Sequence, residues 1–197
     1  RLKEIRPLLV MGLIQPILYF IFETVGISLT SASEASIITS LIPVFTVFFA
    51  VLFLKERPTK QQLAFAAVSV GGVFLIAVVE ALGEASGNIT GLLILFGAPI
   101  CAACFTVLSR HFSVRFRPAE ITYVMMSLSA VVFVPLAIVE QAVLGQLGSI
   151  LQPLALPQVW IGVLYLGAFS SVGAFFLTNY TLSKLEASQM SVFNNLT

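Results

Sequence analysis

The placement of basic residues between long apolar runs is the feature that most limits how this sequence can fold. Six runs approach the roughly 20 residues that a membrane-spanning helix needs. They are Leu8 to Ile27, Ala35 to Leu54, Leu63 to Val79, Gly91 to Ser109, Ile121 to Val139 and Val159 to Asn179. The segments before, between and after them carry three, none, three, none, three, none and one Lys or Arg. Because basic residues collect on the cytoplasmic side of short loops, this alternation predicts a multi-pass membrane protein with residue 1 in the cytoplasm.

Composition points to the same class of protein. Hydrophobic residues make up 58% of the chain and charged residues 10%, and the mean hydropathy is +1.04. So little polar surface cannot cover a water-soluble globule, and lipid must be the solvent. The basic residues lie in separate short loops, which argues against a nucleic-acid partner. The predicted fold is an all-α transmembrane helix bundle in the cell membrane, with six full spans and the start of a seventh near Ala187.

An internal repeat appears when the sequence is shifted by 155 residues. Residues 7–42 then align with residues 162–197 and give eight identities in 36 positions, including paired Ala-Ser steps at Ala32-Ser33 and Ala187-Ser188. The basic-loop count orients the first helix from inside to outside and its partner in the opposite sense. Inverted repeats are typical of secondary transporters, which bind substrate near the midplane between the two halves. A chance alignment of two apolar helices is the alternative.

The residues of both aligned regions resemble a known family. In the first region these are Phe22-Glu23, Thr30-Ser31-Ala32-Ser33, Pro43-Val44-Phe45 and Phe53-Leu54-Lys55-Glu56-Arg57; in the second they are Asn179-Tyr180 and Ser191-Val192-Phe193-Asn194-Asn195-Leu196-Thr197. They resemble the EamA-like drug/metabolite transporter family. That resemblance implies ten helices in two inverted five-helix repeats. Residues 1–80 would then hold the last three helices of the N-terminal repeat, and residues 91–197 the first helices of a truncated C-terminal repeat.

The two ends of the sequence fit this interpretation. The chain opens on Arg1 rather than on methionine and stops at Thr197, a few residues into an apparent helix. We therefore expect a fragment of a longer transporter.

Candidate site residues lie on one face of the first helix. At 100° per residue, five small or polar residues fall within about 80° of one another. They are Gly12, Gln15, Tyr19, Glu23 and Gly26. An ionisable group inside a span is costly and normally faces the bundle interior, where it marks a pathway or pairs with another polar group. Glu23 is thus the best candidate for binding a proton or a substrate ammonium, and a structurally satisfied glutamic acid is the alternative.

The repeat places a matching stripe on the sixth helix. There, Ser170 and Thr178 are predicted to line the same cavity as Gln15 and Tyr19 and to offer neutral hydrogen bonds. Asn194 and Asn195 lie at the positions of Thr39 and Ser40 and can either line the cavity or cap backbone groups near a kink. Glu56, between Lys55 and Arg57, is interpreted as a structural residue that forms ion pairs at the membrane interface.

Reaction machinery is missing from the sequence. It contains no phosphate-binding loop, no His-Glu-x-x-His pattern and no nucleophile elbow, so we predict no catalytic residues. Cys101 and Cys104 lie in an apolar run with no second ligand pair, so we predict neither a metal nor a cofactor. The predicted function is alternating-access movement of a small polar metabolite, with proton-coupled export favoured; a homodimer is compatible with it. A lipid-carrier flippase is the main alternative, and a membrane-embedded enzyme is the weaker one.

Overall fold

A computed structural model of the chain describes residues 2–82, 88–146, 148 and 152–193. All regular structure in these ranges is helical. We number the helices α1 to α7, and several consist of consecutive parts. Their bounds are Leu2–Gly12, Leu13–Leu18 and Tyr19–Leu29 for α1; Ala32–Thr39, Ile42–Phe49 and Ala50–Leu54 for α2; Lys60–Leu82 for α3; Ile89–Leu95 and Gly97–Phe112 for α4; Pro118–Val143 for α5; Pro157–Leu164, Tyr165–Gly173 and Ala174–Lys184 for α6; and Ala187–Phe193 for α7.

Most of the predicted spans are confirmed as long apolar helices. Five stretches are long and apolar enough to cross a membrane within the described ranges, and each has 23 to 28 residues. They are Ile5–Leu29, Ala32–Leu54, Ile89–Phe112, Pro118–Val143 and Pro157–Lys184. The predicted third span lies inside α3, a helix of 23 residues. The chain is a polytopic helical bundle, and α7 begins at Ala187 as predicted.

Local sequence explains where the helices begin. Ser31 is the N-cap of α2: its hydroxyl accepts a hydrogen bond from the Glu34 N–H at 3.2 Å, and the Glu34 carboxylate accepts one from the Ser31 N–H at 2.8 Å. This reciprocal pair satisfies two N–H groups that the first helical turn leaves without partners. At α5, Pro118 occupies a first-turn position, where its missing N–H costs nothing.

Helix α4 lies at the centre of the described bundle and packs against α1, α2, α6 and α7. Of its most apolar stretch, 56% is buried, against 0% for that of α6. The largest cluster of buried apolar residues joins α1, α4 and α5 and consists of Leu8, Met11, Phe105, Ile121 and Met125. A second junction joins α2, α4 and α7 through Ala50, Val107 and Ala187.

The turns that precede α2 and α7 repeat each other in their hydrogen bonds. Three side-chain bonds recur with both partners displaced by 155 residues. In the first pair, Ser28 Oγ donates to Val25 O at 2.8 Å and Ser183 Oγ donates to Tyr180 O at 2.6 Å. In the second, Ser31 N donates to Glu34 Oε2 at 2.8 Å and Glu186 N donates to Gln189 Oε1 at 3.3 Å. In the third, Ser36 Oγ donates to Ser33 O at 2.7 Å and Ser191 Oγ donates to Ser188 O at 2.8 Å. The predicted sequence repeat is therefore also a repeat of local structure.

Candidate functional site

Helix α1 is interrupted at Gln15, near the middle of the span. Gln15 has φ −141° and ψ 123°, an extended conformation, and the peptide bond to Pro16 is cis. Since Pro16 also lacks an N–H, the regular ladder of backbone hydrogen bonds ends here and resumes in the second part of the helix. The prediction of one continuous stripe from Gly12 to Gly26 is therefore wrong. Only the residues after Pro16 keep the assumed 100° spacing.

The second part of α1 brings Tyr19 and Glu23 together. The Tyr19 hydroxyl donates a hydrogen bond of 2.7 Å to Glu23 Oε1, and both side chains are half-buried. Residues four apart lie on the same face of a helix, so this pairing follows directly from the sequence spacing. The carboxylate of Glu23 thus has a partner one turn away within the span.

Glycines fix this part of α1 tightly against α4. A Cβ added to Gly26 would lie 2.6 Å from Leu95 Cβ, and one added to Gly97 would lie 2.7 Å from the Phe22 ring. These distances are shorter than carbon atoms tolerate, so the two backbones approach closely only because these residues lack side chains. We call this contact the α1–α4 seam. It holds the helical turn that carries Glu23 in a fixed position.

The predicted partners on α6 lie in a less packed part of the chain. Ser170 is exposed and Thr178 is half-buried. α1 and α6 each pack against α4 and α5. A shared cavity therefore stays a prediction for these two residues of α6 and for Gln15 and Glu23 of α1. Asn194 and Asn195 lie outside the described residues.

A buried polar cluster joins α4, α5 and α6 near the end of α6. The Asn179 amide accepts a hydrogen bond from Ser109 Oγ at 2.7 Å and donates one to Thr122 Oγ1 at 3.0 Å. The exposed fractions of Asn179, Ser109 and Thr122 are 0%, 0% and 4%. Nearby, Arg110 Nη1 donates to the carbonyl of Leu182 at 2.9 Å. These bonds tie the last turns of α6 to the bundle, because a buried amide in lipid must find partners within the protein.

Glu56 contacts the first turn of α7 across 131 residues of sequence. Its Oε1 accepts a hydrogen bond from the Ala187 N–H at 3.0 Å, and its Oε2 accepts from the Ser188 N–H at 3.1 Å and from the Ser188 hydroxyl at 2.7 Å. The predicted structural role is confirmed. The expected ion pair is replaced by bonds to a helix N-terminus, which offers free N–H groups and favours negative charge.

An apolar cavity of about 410 Å³ opens between α1, α2 and α4. Its lining residues are Ile14, Phe53, Leu54, Cys104, Val107, Leu108, His111 and Phe112. The imidazole of His111 and the thiol of Cys104 are the chemically distinct groups in this lining. The cavity lies at the helix ends that carry Lys55 and Arg110.

The sequence matches the EamA-like transporter family over residues 1–78 and 89–197. The chain belongs to this family. A protein named uncharacterized transporter YcxC, from Bacillus subtilis (strain 168), is 37% identical over 196 residues, which cover 100% of this chain and 63% of that protein. An uncharacterized transporter from Archaeoglobus fulgidus is 25% identical over 191 residues, which cover 97% of this chain and 64% of that protein. No solved structure matches the chain.

The chain therefore spans just under two thirds of the length of these relatives. The family and the printed names of these relatives are those of transporters. Both the Tyr19–Glu23 pair and the Glu56 contact lie within the ranges that match the family.

In this member of the EamA-like family, two of the polar contacts have only weak signals in the sequence. Asn179 stands out as an amide near the end of an apolar run, but its partners lie 57 and 70 residues away along the chain. Glu56 stands between two basic residues, and this local context favoured an ion pair over a bond to a distant helix. In both cases the residue was visible in the sequence, whereas its partner was not.

Proposed function

We propose that this EamA-like transporter is a secondary transporter of the cell membrane that moves a small polar metabolite by alternating access. Amino acids and drug-like solutes are the substrate class, proton-coupled export is the mode, and residue 1 lies on the cytoplasmic side. The observation that carries the proposal is the half-buried Tyr19–Glu23 pair on a span that is broken at Gln15. Most other polar groups within the described spans bond to the backbone or to the structural cluster around Asn179.

The position of Glu23 supports a role in binding. It lies six residues before the end of α1 at Leu29, which is about 9 Å along a helix and still within the hydrocarbon layer. Carboxylates at such depth are rare and typically mark a proton relay or a substrate pathway. Tyr19 offers a hydroxyl that can hold the carboxylate between binding events. Proton binding and substrate-ammonium binding would then compete for one site.

The break at Gln15 supports a substrate site near the midplane. Gln15 lies ten residues after Ile5 and 14 before Leu29, so it divides the span near its centre. Interrupted spans are tolerated in lipid where their free backbone groups face protein or a cavity, and transporters commonly bind substrate at such breaks. In the proposed site, Gln15, Ser170 and Thr178 add neutral hydrogen bonds. Asn194 and Asn195 are also included in the proposed site on the basis of the sequence repeat.

The test is transport by the complete protein in proteoliposomes, with a panel of labelled amino acids and other polar metabolites and with imposed pH gradients of either sign. We expect Glu23→Gln to lower the affinity for substrate by about tenfold or more and to remove the response to the pH gradient, since a hydrogen bond to a charged group contributes about 1.5–3 kcal/mol. Glu140→Gln is the matched control, because Glu140 is exposed at the end of α5. Unchanged affinity and pH response in well-folded Glu23→Gln would remove Glu23 from the mechanism.

A lipid-carrier flippase is a second candidate, and the apolar cavity between α1, α2 and α4 favours it. Such a cavity suits an acyl or isoprenoid chain better than a polar metabolite. The same proteoliposomes distinguish the two functions when they contain a fluorescent long-chain lipid carrier. Movement of this lipid between leaflets, without uptake of any polar metabolite, would support the flippase.

A further inference from the structure

The first turns of α2 and α7 have the same backbone geometry. Besides the three side-chain bonds that recur at a spacing of 155 residues, one backbone bond recurs. In α2, Ala35 N donates to Ser31 O at 3.0 Å, and at the same spacing in α7, Met190 N donates to Glu186 O at 3.0 Å. The two helix N-termini therefore present equivalent groups in equivalent positions.

In α7, this geometry binds a carboxylate. The Ala187 and Ser188 N–H groups and the Ser188 hydroxyl donate to Glu56 at 2.7 to 3.1 Å. Hydrogen bonds to a carboxylate are stronger than those between neutral groups, and a helix N-terminus favours negative charge. Glu56 comes directly after Lys55, whose left-handed conformation at φ 56° ends α2. The end of α2 thus supplies the carboxylate that the start of its repeat partner binds.

At α2, the equivalent donors belong to Ala32 and Ser33, the same residue types as in α7. Both residues are exposed, and within the described part of the chain no group accepts a hydrogen bond from their N–H groups or from the Ser33 hydroxyl. When two repeats are related by a two-fold axis, a contact between them recurs with the two roles exchanged. The contact of Glu56 with Ala187 then recurs between Ala32 and position 211, which lies 155 residues after Glu56.

We infer that the first turn of α2 binds the carboxylate of a glutamate at position 211, at the far end of α7 in the complete protein. In the predicted topology α2 begins and α7 ends on the outer side, so the two partners lie on the same side of the membrane. One carboxylate on each side then ties the first repeat to the second. The inference rests on the two-fold relation of the repeats and on no substrate, so it stands or falls separately from the proposed transport.

Position 211 is expected to carry glutamate, which the complete gene sequence shows directly. An aspartate in its place would keep the carboxylate on a shorter side chain and still support the inference. A residue without a carboxylate at this position would overturn it.

Paired cysteine cross-linking in the complete protein, reconstituted in vesicles, tests the contact itself. The background carries Cys101→Ala and Cys104→Ala. The pair under test is Ser33→Cys with a cysteine at position 211. The matched pair is Ser188→Cys with Glu56→Cys, whose native side chains are in contact. A short bifunctional methanethiosulfonate joins neighbouring thiols, and a protease site inserted between α5 and α6 then reports whether the two fragments remain linked.

We expect both pairs to keep the two fragments linked after proteolysis. The exchanged pairs combine Ser33→Cys with Glu56→Cys, and Ser188→Cys with the cysteine at position 211. Their linked product should be lost, because the two thiols of each exchanged pair lie on opposite sides of the membrane. Linking of the Glu56 pair alone, or equal linking of matched and exchanged pairs, overturns the inference.

Melting temperatures of the complete protein test the hydrogen bonds without cysteines. Ser33→Ala should lower the melting temperature less when position 211 already carries alanine, because the hydroxyl then has no carboxylate to bind. Ser28→Ala is the matched control: Ser28 Oγ bonds to Val25 O within its own turn, so its effect should be additive. An additive effect of Ser33→Ala as well would overturn the inference, and this result decides if the cysteine pairs do not fold.

Discussion

The glycines of the α1–α4 seam and the glycines of α6 differ in how closely other atoms surround them. At the seam, a Cβ on Gly26, Gly91 or Gly97 would lie within 2.6 to 2.7 Å of a neighbouring atom. On α6, a Cβ on Gly162 or Gly167 would meet no atom within 4 Å. A glycine in a span is therefore a packing residue only where another helix lies opposite. The seam is a closed contact, whereas the first two parts of α6 present an open surface.

The largest effect that this comparison predicts is for Gly26→Ala. The added methyl group would lie 2.7 Å from Leu95 Cα, which is backbone and cannot turn aside. Overpacking of this kind costs about 1–3 kcal/mol. We expect a clear fall in the melting temperature of the detergent-solubilised protein. An unchanged melting temperature would mean that the seam is not closed in solution.

A smaller effect is expected where α6 does pack, at Asn179. Asn179→Ala leaves the hydroxyls of Ser109 and Thr122 without their amide partner. Interhelical hydrogen bonds in membrane proteins contribute about 0.6 kcal/mol on average and up to about 1.7 kcal/mol. Tyr180→Phe removes an exposed hydroxyl from the adjacent residue and serves as the control. Equal thermal stability of the two variants would show that the cluster does not anchor α6.

The smallest effect is expected for Gly167→Ala, the same substitution as at Gly26 but on the open surface. No neighbouring atom obstructs the methyl group, so the stability change should stay within about 0.5 kcal/mol, as for most surface changes. Melting curves of Gly26→Ala and Gly167→Ala, recorded under the same conditions, measure the difference in stability between the two sites. A loss at Gly167 as large as at Gly26 would show that another helix packs on α6 in the assembled protein.

Sequence reasoning succeeded where the relevant information is local. Span positions depend on apolar length, and the shared face of Tyr19 and Glu23 depends on a four-residue spacing, so both could be predicted. The extended conformation of Gln15 could not be predicted. That conformation depends on how the two parts of α1 pack separately against α4 and α5.

Contacts between distant helices could not be predicted in the same way. Packing between distant helices depends on how each helix is rotated within the bundle. A single sequence considered by itself carries no information on the rotation of each helix. For the same reason, the partners of Glu56 and Asn179 were not predicted, and the shared cavity of the two stripes stays a prediction.

The matched hydrogen bonds of the two turns have a consequence for protein engineering. Three side-chain bonds recur at one spacing, although Ser31 and Glu186 occupy equivalent positions with different side chains. Because these bonds are local to each segment, residues 28–36 and residues 183–191 should be interchangeable in their hydrogen bonding. A chimeric chain with the two segments exchanged would then keep both turns.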